Sequence, residues 1–217
     1  MTGSARELLS EVQEELAPQE DGNRLVSLIA SGAASRSVFG LIAAEEHRIV
    51  PSDWRSFLHL AARSEERGAR EFFAGLAAGE GEALNRLSTL ATATGMDDVQ
   101  LRAYEPLSGC QAYPSFLAWM ALNGEPADVL VALTANFAAW GSYCATIAGA
   151  MREHYGFDDD ACGFFDFFAT PVPGADEQAV AAVQAGIEAG RLTAEARRYA
   201  RLFQDYELLF WNTLADA

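Results

Sequence analysis

Lysine is missing from all 217 residues, so the positive charge rests on 15 arginines scattered among 31 acids, a net charge of −16. Without lysine there is no amine to form a Schiff base or anchor a pyridoxal cofactor, and no Walker-type phosphate loop. Nucleic acid needs clustered cations and acidic membrane surfaces repel this charge, so neither is an expected partner. The three cysteines, Cys110, Cys144 and Cys162, are odd in number and lack CxxC spacing. A disulfide framework or zinc site is therefore disfavoured, and a reducing cytoplasm is the expected location. The opening "MTGSARELLSEV" shows no basic region followed by an apolar run, so no signal peptide is expected.

Histidine is scarce as well. His47, His59 and His154 do not stand three, four or seven residues from a suitable carboxylate, and Phe210 occupies the place where an E-x-x-H pair after Glu207 would need its histidine. Neither a carboxylate-bridged di-iron bundle nor any other metal or cofactor is expected. There is no G-x-S-x-G elbow and no dinucleotide glycine pattern. Strand alternation and hairpin signals are absent too, which leaves an all-α chain: one domain over residues 1–217, a single bundle of about seven to nine helices.

Apolar spacing and caps place the helices. Ser4 followed by Glu7 is a capping-box pattern for a first helix that "APQEDGN" ends, residues 1–22 forming this helix and a linker. A segment from Arg24 to Ser31 follows, broken at Gly32. Val38, Leu41, Ile42 and Ile49 then share a face until Pro51 punctuates the helix. Beyond it Trp54, Phe57, Leu58 and Ala61 fall on one side. "GEGEALNRLSTLATATG" reads as a separate helix, "MDDVQLRAYEPLSG" as a loop, and "AYPSFLAWMALNG" as a short helix ended at Asn123-Gly124. From Val129 to Met151 no residue is charged, long enough for a membrane span. Asn136, Ser142, Trp140 and Tyr143 in its middle favour a helix surrounded by protein.

Three places carry candidate chemistry. In the C-terminal helix Ala196, Tyr199, Ala200, Phe203, Phe210, Trp211 and Leu214 form an apolar stripe, and Glu207 interrupts it. An ionised carboxylate on a buried face costs several kcal/mol unless paired. Glu207 therefore either has a structural role only, at the edge of the stripe or paired with an internal arginine, or faces an internal pocket, where it binds a donor or transfers a proton. Asn136, Trp140, Tyr143 and Ile147 share one face of the uncharged helix, as a ligand wall or as an interhelical hydrogen-bond seam. Cys144 points about 100° away from that face, as an inert core thiol would. Glu46 interrupts a stripe of Phe39, Ile42 and Ile49, although Glu45-Glu46-His47 would also suit a solvated face.

The E-x-x-F-W motif at Glu207, Phe210 and Trp211, the long uncharged helix and "AYPSFLAWMALNG" resemble the TenA/thiaminase II family, over about residue 35 to the end. The resemblance implies a haem-oxygenase-like helical fold and a homo-oligomer of dimer size or larger. It also implies an aminopyrimidine or related heteroaromatic ligand, with thiamin-related C–N hydrolysis as the activity. Glu207 and Glu46 then become the catalytic pair, and Tyr113, Asn136, Trp140, Tyr143, Phe168 and Trp211 the ligand-binding residues. In this family a Pro-Cys motif supplies a thiolate nucleophile, and here Asn136, or Ala139 in a shifted alignment, stands in its place. Without the thiolate, hydrolysis needs an activated water, and the alternative is a ligand-binding or regulatory protein with no chemistry. The transcriptional-regulator label attached to the family draws no support as direct DNA binding from this charge distribution.

Overall fold

The computed structural model describes residues 4–17 and 22–217. The first helix ends at Glu15, ahead of the 17–23 segment expected to stop it, of which residues 18–21 lie outside the described residues. The described part contains ten helices rather than seven to nine, and no strand. They are α1 (Ala5–Glu15), α2 (Arg24–Ala30), α3 (Val38–Arg63), α4 (Arg67–Ala93), α5 (Asp98–Ala103), α6 (Ser108–Asn123), α7 (Pro126–Tyr155), α8 (Asp159–Ala169), α9 (Ala175–Glu188) and α10 (Glu195–Ala215). The Ser4 capping box forms: Glu7 N–H donates to the Ser4 hydroxyl at 3.3 Å and Ser4 N–H to the Glu7 carboxylate at 2.8 Å. The extra helix is α5, in the segment read as a loop. Asp97 accepts from Val99 and Gln100 N–H while the Gln100 side chain accepts from Asp97 N–H, a capping box on only six residues.

Two expected breaks do not occur, and one of them sets the register of the site. Pro51 sits inside a continuous α3. Its missing N–H removes one backbone bond, worth about 3 kcal/mol with the associated clash, but the buried face on either side outweighs that loss. The stripe therefore runs on unbroken through Ile42, Glu46, Ile49, Asp53, Phe57 and Leu60, all buried. Trp54 and Leu58, expected on the apolar side, are turned outward at 45% and 44% exposure. In the same way α4 passes through Gly79 and Gly81 and joins what reads as two helices.

The uncharged helix is enclosed over its first third only. Pro126–Leu133 is buried at every position, whereas Phe137, Ala138, Ser142, Ala145, Thr146 and Gly149 reach the surface. Gly156, with φ 64°, caps α7 in the left-handed conformation that glycine adopts freely. α6 and α10 approach closely enough that a Cβ at Gly109 would lie 2.0 Å from the Thr213 hydroxyl oxygen.

The apolar core divides into two clusters. One gathers Phe39, Ile42, Ile147, Phe164, Phe165, Phe210 and Trp211, the other Phe57, Phe73, Leu117, Leu130 and Phe203. Four long helices cross from one to the other, and each carries a polar residue near the crossing. Asp53 lies between Val50 and Phe57, Glu80 between Ala77 and Ala83, Asn136 between Ala135 and Cys144, and Glu207 between Phe203 and Phe210. Tyr113 packs against both clusters.

Candidate active site

The apolar stripe of α10 is buried along its whole length, and Glu207, at 2% exposure, is buried with it. Two donors from different elements hold its carboxylate. The amide of Asn136 on α7 donates to Oε2, and the indole N–H of Trp211, one turn along α10, donates to Oε1 at 3.0 Å. Burial pushes the Glu207 carboxyl up to about 7, against the two hydrogen bonds, which favour the ionised form. No arginine pairs with it among the described ion pairs, so the edge-of-stripe reading does not describe this residue. It sits inside the protein, poised to hold or release a proton near neutral pH.

The face of α7 delivers the aromatic wall. Trp140 lies 5.4 Å from Trp211, and Phe168 on α8 meets Trp140 edge-on at 5.7 Å. Tyr143 meets Trp211 at 6.2 Å, and its buried hydroxyl has no hydrogen-bond partner among the described residues. Asn136 contacts Glu207 directly; Ala139, the other position opposite the family nucleophile, is partly exposed. Cys144 is fully buried with its thiol pushed well up, first by burial and then by Glu46 and Glu207.

Glu45 and Glu46 both lie in the interior, at 0% and 4% exposure, so the solvated-face reading of Glu45-Glu46-His47 is overturned. α3 continues into the core here, and the two acids face different neighbours. Glu45 ties α3 to the chain between α5 and α6: it accepts from the Tyr104 hydroxyl and Leu107 N–H at 2.7 Å and from the Gln111 amide at 2.8 Å. Glu46 receives no hydrogen bond among the described residues. Its carboxyl is raised well above the ordinary range by burial, then by repulsion from Asp53, Glu45 and Glu207.

Two further acids join the site that sequence patterns had not marked. Asp53, at 3% exposure, accepts from the Tyr113 hydroxyl at 3.1 Å and is pushed up to about 8 by burial. Glu80, partly buried on α4, is raised by burial and then by Asp53 and Glu46. Tyr113 is raised too, by burial first and then by Asp53, Glu46, Glu80 and Glu207. The signal for Asp53 was available, since it stands seven residues after Glu46 on the same stripe. It was hidden by treating Pro51 as a break. Glu80 lies three residues after Ala77 on α4, inside the "GEGE" run that reads as the start of a separate helix.

The site thus joins an acceptor held by an amide and an indole to carboxyls whose proton affinity burial raises, with aromatic rings along one side. Among the described residues no three His, Cys, Asp or Glu side chains converge closely enough to hold a metal ion. Such a site suits binding of an uncharged or cationic ligand with hydrogen-bond donors, and general acid–base chemistry on it.

The sequence profile of the TENA/THI-4/PQQC family matches residues 24–217. No curated protein matches the sequence significantly. The fold is similar to that of a Pseudomonas syringae TenA homolog (TM-score 0.75, 13% identity, covering 98% of this chain and 91% of that one). It is also similar to a Shewanella denitrificans domain of unknown function with a haem oxygenase-like fold (0.74, 14%, 100% and 92%). A third likeness is a TenA family transcription regulator from a Silicibacter species (0.73, 18%, 99% and 98%).

Proposed function

The chain belongs to the TENA/THI-4/PQQC family, and on that premise we propose that it is a small-molecule enzyme of TenA type acting on a heteroaromatic ligand such as an aminopyrimidine. The observation that carries this is Glu207: buried, held by Asn136 and Trp211, and titrating at about 7. Glu207 serves as general acid and base, Glu46 polarises the ligand's amino group, and Asn136 fixes the carboxylate that the ligand meets. Tyr113, Trp140, Tyr143, Phe168 and Trp211 line the binding site.

For hydrolysis of a C–N bond a water molecule takes the place of the missing thiolate. Its oxygen bonds to carbon as the C–N bond breaks, Glu207 accepts the water proton, and the leaving nitrogen departs with a proton returned from Glu207. Glu207→Gln is expected to abolish turnover while the protein remains folded. Unchanged turnover removes Glu207 from the mechanism.

The missing nucleophile favours a second reading, a ligand-binding protein without chemistry. Thermal-shift screening against thiamin fragments, followed by mass spectrometry, separates the two: stabilisation with no product supports the binding protein. Three buried free thiols suit a cytoplasmic location. Exposed Trp119 and Leu122 on α6, beside Phe116, suit a homo-oligomer. A net charge of −16, with 15 arginines among 31 acids, gives no support to direct DNA binding of the kind that the description of the Silicibacter protein as a transcription regulator suggests.

A further inference from the structure

α6 carries no charged residue from Ser108 to Asn123, yet its outer side is open, with Ser115, Trp119, Leu122 and Asn123 exposed. Its inner side is apolar in the usual way, with Leu117, Met120 and Ala121 in the core. A surface helix ordinarily turns charged residues to water, and α6 turns a tryptophan and a leucine instead. α10 runs antiparallel beside it: a Cβ at Gly109 would meet Thr213, and one at Gly124 would meet Tyr199. Together the two helices build an aromatic platform. Phe116 stacks on Trp119 at 5.8 Å, Tyr206 lies 5.2 Å from Phe116, and Tyr199 meets Trp119 edge-on at 5.9 Å. Aromatic groups at the centre and few charges are the composition of a joined surface rather than of a solvated one.

The charges at the edge of the platform indicate what covers it. On α10, Arg201 and Asp205 stand one turn apart next to Leu202 and Tyr206, and both are exposed. Neither forms an ion pair among the described residues. Resting on the homo-oligomer reading above, we propose that this face joins a second copy of the chain about a two-fold axis. A two-fold normal to the face sets α10 antiparallel to its copy, so that each Arg201 faces the partner's Asp205. Trp119 stands beside Tyr199 and Phe116 beside Tyr206, which puts the aromatic platform level with that charge pair, and one axis serves both. A self-contact also fits the net charge of −16. Two copies repel over most of their surfaces, whereas an uncharged α6 edged by one cation and one anion is neutral where they meet. The inner sides of α6 and α10, which carry Tyr113 and Glu207, stay within each copy.

Sedimentation equilibrium over a concentration series reads the dissociation constant of the assembly, with circular dichroism as the check on folding. The native chain is expected to sediment as a dimer or an even multiple of it. Trp119→Ala is expected to raise the dissociation constant at least about hundredfold, because each dimer loses the ring twice. Arg201→Asp alone, or Asp205→Arg alone, sets like charges opposite one another and is expected to raise it at least about tenfold. Arg201→Asp combined with Asp205→Arg exchanges the two charges and is expected to restore the native value. The charge variants lie on an exposed surface and carry the test should Trp119→Ala fail to fold. A native chain that stays monomeric at every concentration overturns this face and the homo-oligomer reading together. Self-association unchanged by Trp119→Ala and by the single charge variants overturns this face and leaves the homo-oligomer reading standing on another. Weakening by the single charge variants with no recovery in the double one overturns the two-fold arrangement.

Discussion

Replacing Glu207 by Gln keeps the shape of the side chain and removes its titration, so stability should lose one component of its pH dependence. The folded carboxyl titrates at about 7 against an ordinary value of 4.5, because burial disfavours the anion. A raised folded value means that the native state binds the proton more tightly than the unfolded chain does. That stabilisation is complete below about pH 4.5 and is lost as pH rises through about 7. Between pH 5 and pH 8 the loss amounts to about 2–3 kcal/mol from this residue alone. The glutamine variant lacks the loss but also lacks one acceptor, since Asn136 and Trp211 both donate and only one amide oxygen remains. That missing bond costs about 1–2 kcal/mol at either pH. At pH 5 the variant should therefore be the less stable protein, and at pH 8 it should be equal to the native chain or slightly more stable. Urea unfolding of both proteins at the two pH values measures the double difference, in which the slopes from Asp53 and Glu80 cancel, while that from Glu46, which Glu207 helps to raise, flattens in the variant and adds to the effect in the same direction. Parallel pH dependence of the two proteins would falsify the account of Glu207 as a carboxyl raised by burial.

Three other outcomes follow from named contacts. Trp211→Phe removes the 3.0 Å indole bond that favours the anion. The Glu207 titration, followed by carboxylate infrared or carbon NMR signals, should move further above 7, and a downward move would contradict the assignment. Gly109→Ala places a Cβ at 2.0 Å from the Thr213 hydroxyl oxygen and 3.0 Å from its Cβ. Rotating the hydroxyl relieves only part of this, so a loss of about 2–3 kcal/mol in urea unfolding is expected, partly recovered with Thr213→Ala. Ser4→Ala breaks the capping box of α1 and should cost about 1 kcal/mol, read as the same unfolding shift, with no change in ligand binding.

The all-helical fold was legible because helix formation is governed by local spacing and caps. The stripe from Ala196 to Leu214 is buried as its periodicity implies, and the Ser4 box forms as written. Glu207 stood out on the same grounds, since a carboxylate interrupting a long apolar stripe is visible in one dimension. Misreadings came where local signals compete with packing. Pro51 looks like a stop, and the few kcal/mol it costs are less than the burial of α3 returns. Removing that stop rotates the face expected for the second half of the helix, so Asp53 points inward and Trp54 outward. The glycines around Glu80 mislead in the same manner.

Sequence alone therefore determined that the chain is helical, that lysine-dependent chemistry is closed to it, and that Glu207 lies on a face which packing must cover. Tertiary structure decided the rest: that Asn136 and Trp211 are the donors to Glu207, that Glu45 braces a loop while its neighbour Glu46 is buried with no donor among the described residues, and that Asp53 accepts from Tyr113. The division follows from range. Periodicity and capping act over one or two turns of a single helix, whereas a carboxylate's partners and its proton affinity depend on side chains brought together from α3, α4, α6, α7 and α10.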